Sequence, residues 1–363
     1  MRSALRPLEY GRARGTGNRG RLPPPRTRRA HRSKRAARAV GTGEYGRQAV
    51  RPPARLDDVD ATRLMGYAAE LADDHPGFGD DAYTRRRADI GRAAGRFALD
   101  PSKGIPHVVY TSEEHATWMR CLDAIAERAK SHSCAEYAEN LDVFLDATNA
   151  RAGIPQLSDV DRVLADSPGA FHVRPVGGLL HPRSFLNALA FSTFHSTQYV
   201  RHASSPLYTP EPDIIHELLG HLPLLMNSTF ADCMRHLGRA SLRAPDVDIW
   251  HITKVYWYTV EFGVVHSQHD GRHLGYGAGV LSSIAELDNL VGAPENGVTF
   301  QALDPYAALP KISYNEGVQK SYMTVTSIQH MRDMLHAFAD FCEELYAGGG
   351  SLKQWRASSN NSN

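Results

Sequence analysis

His216 and His221 stand five residues apart in His216-Glu217-Leu218-Leu219-Gly220-His221. Two histidines four apart share one helical face and can grip one metal ion. Five apart, at 3.6 residues per turn, they diverge by about 140° on an unbroken helix. The spacing therefore predicts a helix interrupted between them, with Gly220 and then Pro223 as the interrupting residues, His216 in the last turn and His221 just past the end. The start of that helix is prepared by Pro212, Asp213 and Glu217, which suit its positive end. Two imidazoles need a third ligand. Glu261, in the apolar run Tyr256-Trp257-Tyr258-Thr259-Val260-Glu261-Phe262-Gly263, is a carboxylate whose burial a metal would offset. Two histidines and one carboxylate with open positions suit non-haem Fe(II) and oxygen chemistry. A zinc peptidase using Glu217 as base is the alternative, and a non-catalytic metal-binding protein is another. The five-residue spacing opposes the peptidase.

A second histidine group, His266, His269 and His273, has spacings of three and four that would share a helical face. Asp270-Gly271 between them reads as a turn, which favours a solvent loop. Gly275-x-Gly277-x-Gly279 lacks the strand–glycine–helix setting of a dinucleotide site.

The elements that must position these residues read mostly as helices. Apolar spacing predicts helices over 57–74, 81–99, 134–150, 158–164, 186–200, 230–242, 246–265 and 279–290. Thr111 and Glu114 form a capping box that starts a long helix through Trp118, Leu122, Ile125 and Ala129. Residues 171–180 read as short strands. The helix over 186–200 should be buried and deliver Arg201 to the site.

The chain has 363 residues and ordinary apolar and charged fractions, enough for one large core. No apolar run is long enough to span a membrane. Four scattered cysteines form no CxxC pair, which points to a reduced, cytoplasmic protein. The net charge of +1 hides an asymmetry: residues 1–55 hold 16 Lys and Arg against Glu9 and Glu44, leaving 25 basic and 38 acidic residues in the rest. A basic arm can bind nucleic acid and an acid-poor start can be a transit peptide. Glycine and proline break any amphipathic period there, so residues 1–56 read as a disordered extension, with no nucleic-acid role. Residues 57–346 read as the catalytic domain, and 347–363, rich in Gly, Ser and Asn, as a disordered tail.

Further motifs occur in order along the chain: Asp74-His75-Pro76-Gly77-Phe78, Ile154-Pro155-Gln156-Leu157, Arg174-Pro175-Val176, Tyr199-Val200-Arg201-His202, TPEPD at 209–213, and YGAG and LSS within 276–283. With HELLGH at 216–221 they resemble the catalytic domain of the pterin-dependent aromatic amino acid hydroxylases. The resemblance implies a mainly α fold with a few short β-strands, in a single catalytic domain built around a cleft. It implies a monooxygenase that uses Fe(II), a tetrahydropterin and O2 to hydroxylate the ring of a small-molecule aromatic amino acid.

By the same resemblance His216, His221 and Glu261 hold the iron, with Ser282 or Ser283 behind a ligand histidine. Arg201 binds the substrate carboxylate and Asp213 holds Arg201. Thr209, Pro210, Pro212, Trp257 and Phe262 wall the substrate pocket together with Gly279 and Ser282. Phe185 stacks on the pterin, which Gly178, Leu180 and Glu217 line. Phenylalanine is the favoured substrate, from Trp257 and His195. Residues 201–206 resemble the tyrosine enzymes, and a tryptophan enzyme is the third choice. Ile328-Gln329-His330-Met331-Arg332 departs from the family pattern and puts Arg332 where an aromatic is expected near the site rim, leaving para or meta hydroxylation open. His181-Pro182 departs beside the pterin. No heptad run follows Tyr346, so a monomer or small homo-oligomer is expected rather than a coiled-coil tetramer.

Overall fold

The computed structural model describes residues 51–360 except 208, 294 and 313–316. The expected extension over 1–56 lies outside the described residues up to residue 50. The described residues fall within one compact unit. Among the described residues it is mainly helical, with eight short strands, and no helix is long and apolar enough to cross a membrane.

In chain order the elements begin with β1 (Leu64–Tyr67), α1 (Asp81–Leu99), α2 (Ser112–His132), α3 (Ala135–Ala147) and α4 (Leu157–Asp166). Next come β2 (His172–Pro175), β3 (Gly178–Leu180), α5 (Pro182–Leu189) and β4 (Thr193–Ser196). A widened helical turn over His216–His221 runs into α6 (Leu222–Leu225), followed by α7 (Ser228–Leu242) and α8 (Asp246–Tyr256). A second widened turn, Trp257–Glu261, leads to the hairpin of β5 (Val264–His266) and β6 (His273–Gly275). The remainder is α9 (Ala278–Leu281), α10 (Ile284–Val291), β7 (Thr299–Ala302), β8 (Ser321–Val325), α11 (Ile328–Ala347) and α12 (Leu352–Asn360).

Local chemistry explains several of these starts. Thr111 accepts from the Glu114 N–H and Glu114 reaches back to the Thr111 N–H, so α2 begins at the predicted capping box. Asp80 caps α1 and Asn227 caps α7 through side-chain oxygens. The helices pack around one large core that includes Trp118, Tyr137, Phe144, Phe171, Phe194 and Phe338. Trp118 buries its indole without losing a hydrogen bond, because Nε1 donates to Ala150 O at 2.9 Å. A smaller cluster of Val264, Val280, Leu287, Leu290 and Tyr322 lies beside a four-stranded sheet of order β6-β5-β8-β7.

Four expectations are corrected. Residues 57–74 are not a helix: Leu64–Tyr67 pair antiparallel with Gly178–Leu180, a partner more than 100 positions away. Any Cβ on Gly178, at φ 152°, would sit 2.3 Å from Gly66 O, so glycine alone permits this pairing. Residues 186–200 are not one helix either. Ser192 adopts φ 52°, ending α5, and β4 then pairs in parallel with β2. The helix predicted over 279–290 is two, divided by Ser283, which caps α10.

The tail is the fourth. Residues 352–360 are helical rather than disordered. Leu352 is fully buried and its N–H donates to Asp248 Oδ2 at 2.7 Å. Trp355 packs edge-on against Phe341, ring centroids 5.0 Å apart. These partners lie on α8 and α11, so local composition could not report them.

Candidate iron centre and substrate pocket

The helix that carries the histidines begins after Asp213, whose Oδ1 accepts from the His216 N–H at 3.1 Å. It does not break at Gly220. Instead the turn over His216–His221 widens to i→i+5 hydrogen bonding, which brings residues five apart back to one side. The chain then continues directly into α6, with Pro223 tolerated in its first turn. His216 Nε2 and His221 Nε2 stand 3.1 Å apart. The widened turn Trp257–Glu261 delivers the carboxylate, with Glu261 Oε1 3.3 Å from His221 Nε2 and Oε2 3.5 Å from His216 Nε2. Among the described residues these three are the one group of three or more whose ligand atoms lie within 4.8 Å of one another.

The donor set fits an iron ion. Metal bonds of about 2.1 Å meeting near right angles put neighbouring ligand atoms about 3 Å apart, close to the separations observed. Ser282 Oγ donates its proton to Ala278 O at 2.7 Å. At 2.9 Å from His216 Nδ1 it must therefore accept, which fixes the proton on Nδ1 and leaves the Nε2 lone pair facing Glu261 and His221. Burial pushes the His216 imidazole down to about 4, so it is neutral at neutral pH, as a metal ligand must be. Burial pushes the Glu261 carboxyl up, but His221 and His216 outweigh it and hold the carboxyl at about 2.

Glu217 points elsewhere. Its Oε1 accepts from the Thr197 N–H at 3.2 Å, and burial raises its carboxyl well above the usual range. A peptidase base would have to face the metal, so the peptidase reading finds no support in this carboxyl.

Arg201 and Asp213 form a buried fork. Arg201 Nη2 donates to Asp213 Oδ1 at 2.7 Å and Nε to Oδ2 at 3.0 Å, while the Arg201 N–H also donates to Oδ2. Burial works against both charges, yet the guanidinium holds the Asp213 carboxyl below its ordinary range. Nη1 donates to Pro206 O at 3.3 Å. Trp257 and Phe262 have ring centroids 4.5 Å apart. Gly279 lies beneath Phe262, where a Cβ would come within 2.6 Å of the ring. Thr209 Oγ1 donates to Glu211 O at 2.9 Å, closing the turn that carries Pro210 and Pro212.

Phe185 contacts Phe194 and Tyr256 edge-on, at 5.7 and 5.2 Å, and Phe194 lies 4.8 Å from the His221 ring. It thus belongs to the aromatic lining on the His221 side. Gly178 and Leu180 are less directly connected: they stand on β3, which pairs with β1 and runs into α5. Arg332 lies on α11 and pairs with its neighbour Asp333 at 2.9 Å.

Sequence reasoning missed the anchor of the 209–213 turn. Glu211 Oε1 meets Arg87 Nη1 and lies 3.0 Å from His75 Nε2. Arg87 is buried with its guanidinium 3.9 Å from the Tyr199 ring centroid. His75 and Glu211 both lie in motifs noted above, but their partner Arg87 sits in Arg85-Arg86-Arg87 of α1, which carries no motif.

Residues 52–347 match the family described as biopterin-dependent aromatic amino acid hydroxylase. The chain is 45% identical over 288 residues to the chloroplastic phenylalanine 4-monooxygenase of Pinus taeda, covering 79% of this chain and 78% of that protein. It is 44% identical over 308 residues to the chloroplastic phenylalanine 4-monooxygenase of Physcomitrium patens, covering 83% and 76%. In structure it is similar to the apo cold-active phenylalanine hydroxylase of Colwellia psychrerythraea 34H, with TM-score 0.59, 28% identity and coverage of 68% and 92%. It is also similar to a Chromobacterium violaceum phenylalanine hydroxylase with bound iron(III) and 7,8-dihydrobiopterin, with TM-score 0.58, 25% identity and coverage of 72% and 91%.

Proposed function

This chain belongs to the biopterin-dependent aromatic amino acid hydroxylases, and from that premise we propose that it hydroxylates the ring of L-phenylalanine at position 4. The observation that carries the proposal is the convergence of His216, His221 and Glu261 within bonding reach of one ion. The relatives named as phenylalanine 4-monooxygenases support the substrate and the ring position.

Fe(II) and a tetrahydropterin, when bound, supply the means of activating O2 for insertion into an aromatic ring. The protein's part is to hold and orient. His216, His221 and Glu261 would hold the iron, which would supply the site at which O2 is activated. Ser282 keeps the His216 proton on Nδ1 and so keeps Nε2 available. Arg201, already steered by Asp213, offers its remaining N–H groups to the substrate carboxylate. Thr209, Pro210, Pro212, Trp257, Phe262 and Gly279 shape the pocket for the ring. Phe185 would give a bound pterin an apolar face, and Gly178, Leu180 and Glu217 would line it. Orientation of this kind can account for a large part of a rate enhancement.

The test is incubation with Fe(II), tetrahydrobiopterin, O2 and each of phenylalanine, tyrosine and tryptophan, with products separated by ring position. Para-tyrosine from phenylalanine is expected as the main product. A meta product, or faster turnover of tyrosine or tryptophan, overturns the assignment. We further propose a monomer or small homo-oligomer, which light scattering after size exclusion checks. The four buried free thiols suit a reducing compartment. Cytoplasm is the simplest such setting. The chloroplastic relatives make a plastid the competing one, and a reporter fused to residues 1–56 distinguishes them.

A further inference from the structure

The histidine group at 266–273 is not a helix face but a β-hairpin. Ser267 N–H donates to Arg272 O at 2.8 Å, so 267 and 272 are a hydrogen-bonded pair. Ladder alternation then makes His266 and His273, which lie directly opposite each other, a non-hydrogen-bonded pair. Side chains of such a pair stand closest together on one face of the sheet. The two imidazoles have ring centroids 4.7 Å apart and are tilted by 32°. His273 also stacks on Phe300, centroids 3.6 Å apart and 4° from parallel, which restricts its rotation. His266 Nδ1 is shut off from solvent with no hydrogen-bond partner among the described residues, an expensive state for a polar atom. Burial and the neighbouring His266 both push the His273 imidazole down, favouring the neutral form that binds metals.

We propose that His266 and His273 form a second metal site, which takes an imidazole-preferring divalent ion such as Zn2+ or Cu2+. Asp270 is engaged by Arg272 at 2.5 Å and His269 is exposed in the turn, so neither is counted as a ligand. With two protein ligands the site is weaker than the three-ligand centre. Its placement gives it a consequence there. β5 begins three residues after Glu261, and the strand returning from the hairpin leads to Gly277, Gly279 and Ser282. Tyr276 and Gly277 N–H groups both donate to Gly263 O, at 3.1 and 3.0 Å. An ion joining the two strands at the far end would therefore stiffen the segment that carries Glu261 and the Ser282 support.

The full chain, loaded with iron, is equilibrated with buffered Zn2+ and its metals are counted by mass spectrometry. One zinc besides one iron is expected, with a higher thermal midpoint than without zinc. His273→Gln and His266→Gln each weaken zinc binding about tenfold or more and abolish the rise in midpoint, while iron content is retained. His216→Ala, which removes an iron ligand, keeps the zinc. With Cu2+ as the probe, electron paramagnetic resonance shows nitrogen coupling that both Gln variants lose. Should a Gln variant fold poorly, His273→Phe preserves the stack on Phe300 and serves in its place. The proposal is overturned if no second equivalent binds before zinc displaces iron, or if a second equivalent survives both substitutions. None of these readouts depends on which amino acid is hydroxylated.

Discussion

At the scale of single residues, the site is defined by where protons and charges are held. Ser282 is not itself a proposed iron ligand, yet its hydrogen bond fixes the His216 tautomer. Ser282→Ala is expected to lower iron affinity by about 10–100-fold, read from the iron retained after dialysis against a graded chelator. Unchanged retention would show that the serine is only packing. His195 gives a pH prediction with a definite sign. Burial and nearby Arg174 lower its imidazole from 6.5 to about 4. The folded protein thus keeps it neutral while the unfolded chain takes up a proton below 6.5. Its contribution to stability is complete above 6.5 and is lost as pH falls to about 4, a loss on the order of 3 kcal/mol at most. Urea midpoints at pH 7.5 and 4.5 should therefore differ more for the wild type than for His195→Gln. Equal differences would refute the assignment.

At the scale of elements, the two widened turns decide the chemistry. Each adds one residue to a turn relative to an α-helix, and the proposed ligands sit on them at His216, His221 and Glu261. The first turn is kept in place by close packing on α9. A Cβ at Gly220 would lie 2.9 Å from Ala278 O and 3.0 Å from Ala278 Cβ. Gly220→Ala should cost about 1–3 kcal/mol by overpacking and reduce iron occupancy as well. Gly95 in α1 is the control, because a Cβ there meets nothing within 4 Å. Gly95→Ala should stabilise by about 0.5–1 kcal/mol and leave iron bound. Equal effects of the two substitutions in chemical melts would show that glycine content, not packing on α9, matters at Gly220.

At the scale of the whole molecule, the proposed ligands join segments that are far apart in sequence and packed in one core. His216 and Glu261 are 45 positions apart, and Ser282 lies further on still. An ion bound to the folded state alone stabilises it by about 2.7 kcal/mol when present at 100 times its dissociation constant. Chelation of iron should lower the melting temperature in step with iron lost, and readdition of Fe(II) should restore it. A melting curve indifferent to iron would mean that the three side chains are held rigidly without it.

The sequence alone determined what depends on neighbours a few positions away. The Thr111–Glu114 cap, the helix-start chemistry around Asp213 and the His216–His221 pair were legible because each is written in residue types at short spacing, whereas Glu261, 40 positions beyond His221, was named from its apolar run and the family resemblance. Tertiary structure decided the rest. Five-residue histidine spacing required some departure from an α-helix, but a break and a widened turn satisfy it equally on paper. Packing of Gly220 against Ala278 selects the widened turn. Leu64–Tyr67 became a strand because its partner arrives from residues 178–180. The tail became a helix because Asp248 and Phe341 receive Leu352 and Trp355. In each case the energy that chose the conformation comes from atoms far away in sequence, which local propensity cannot weigh.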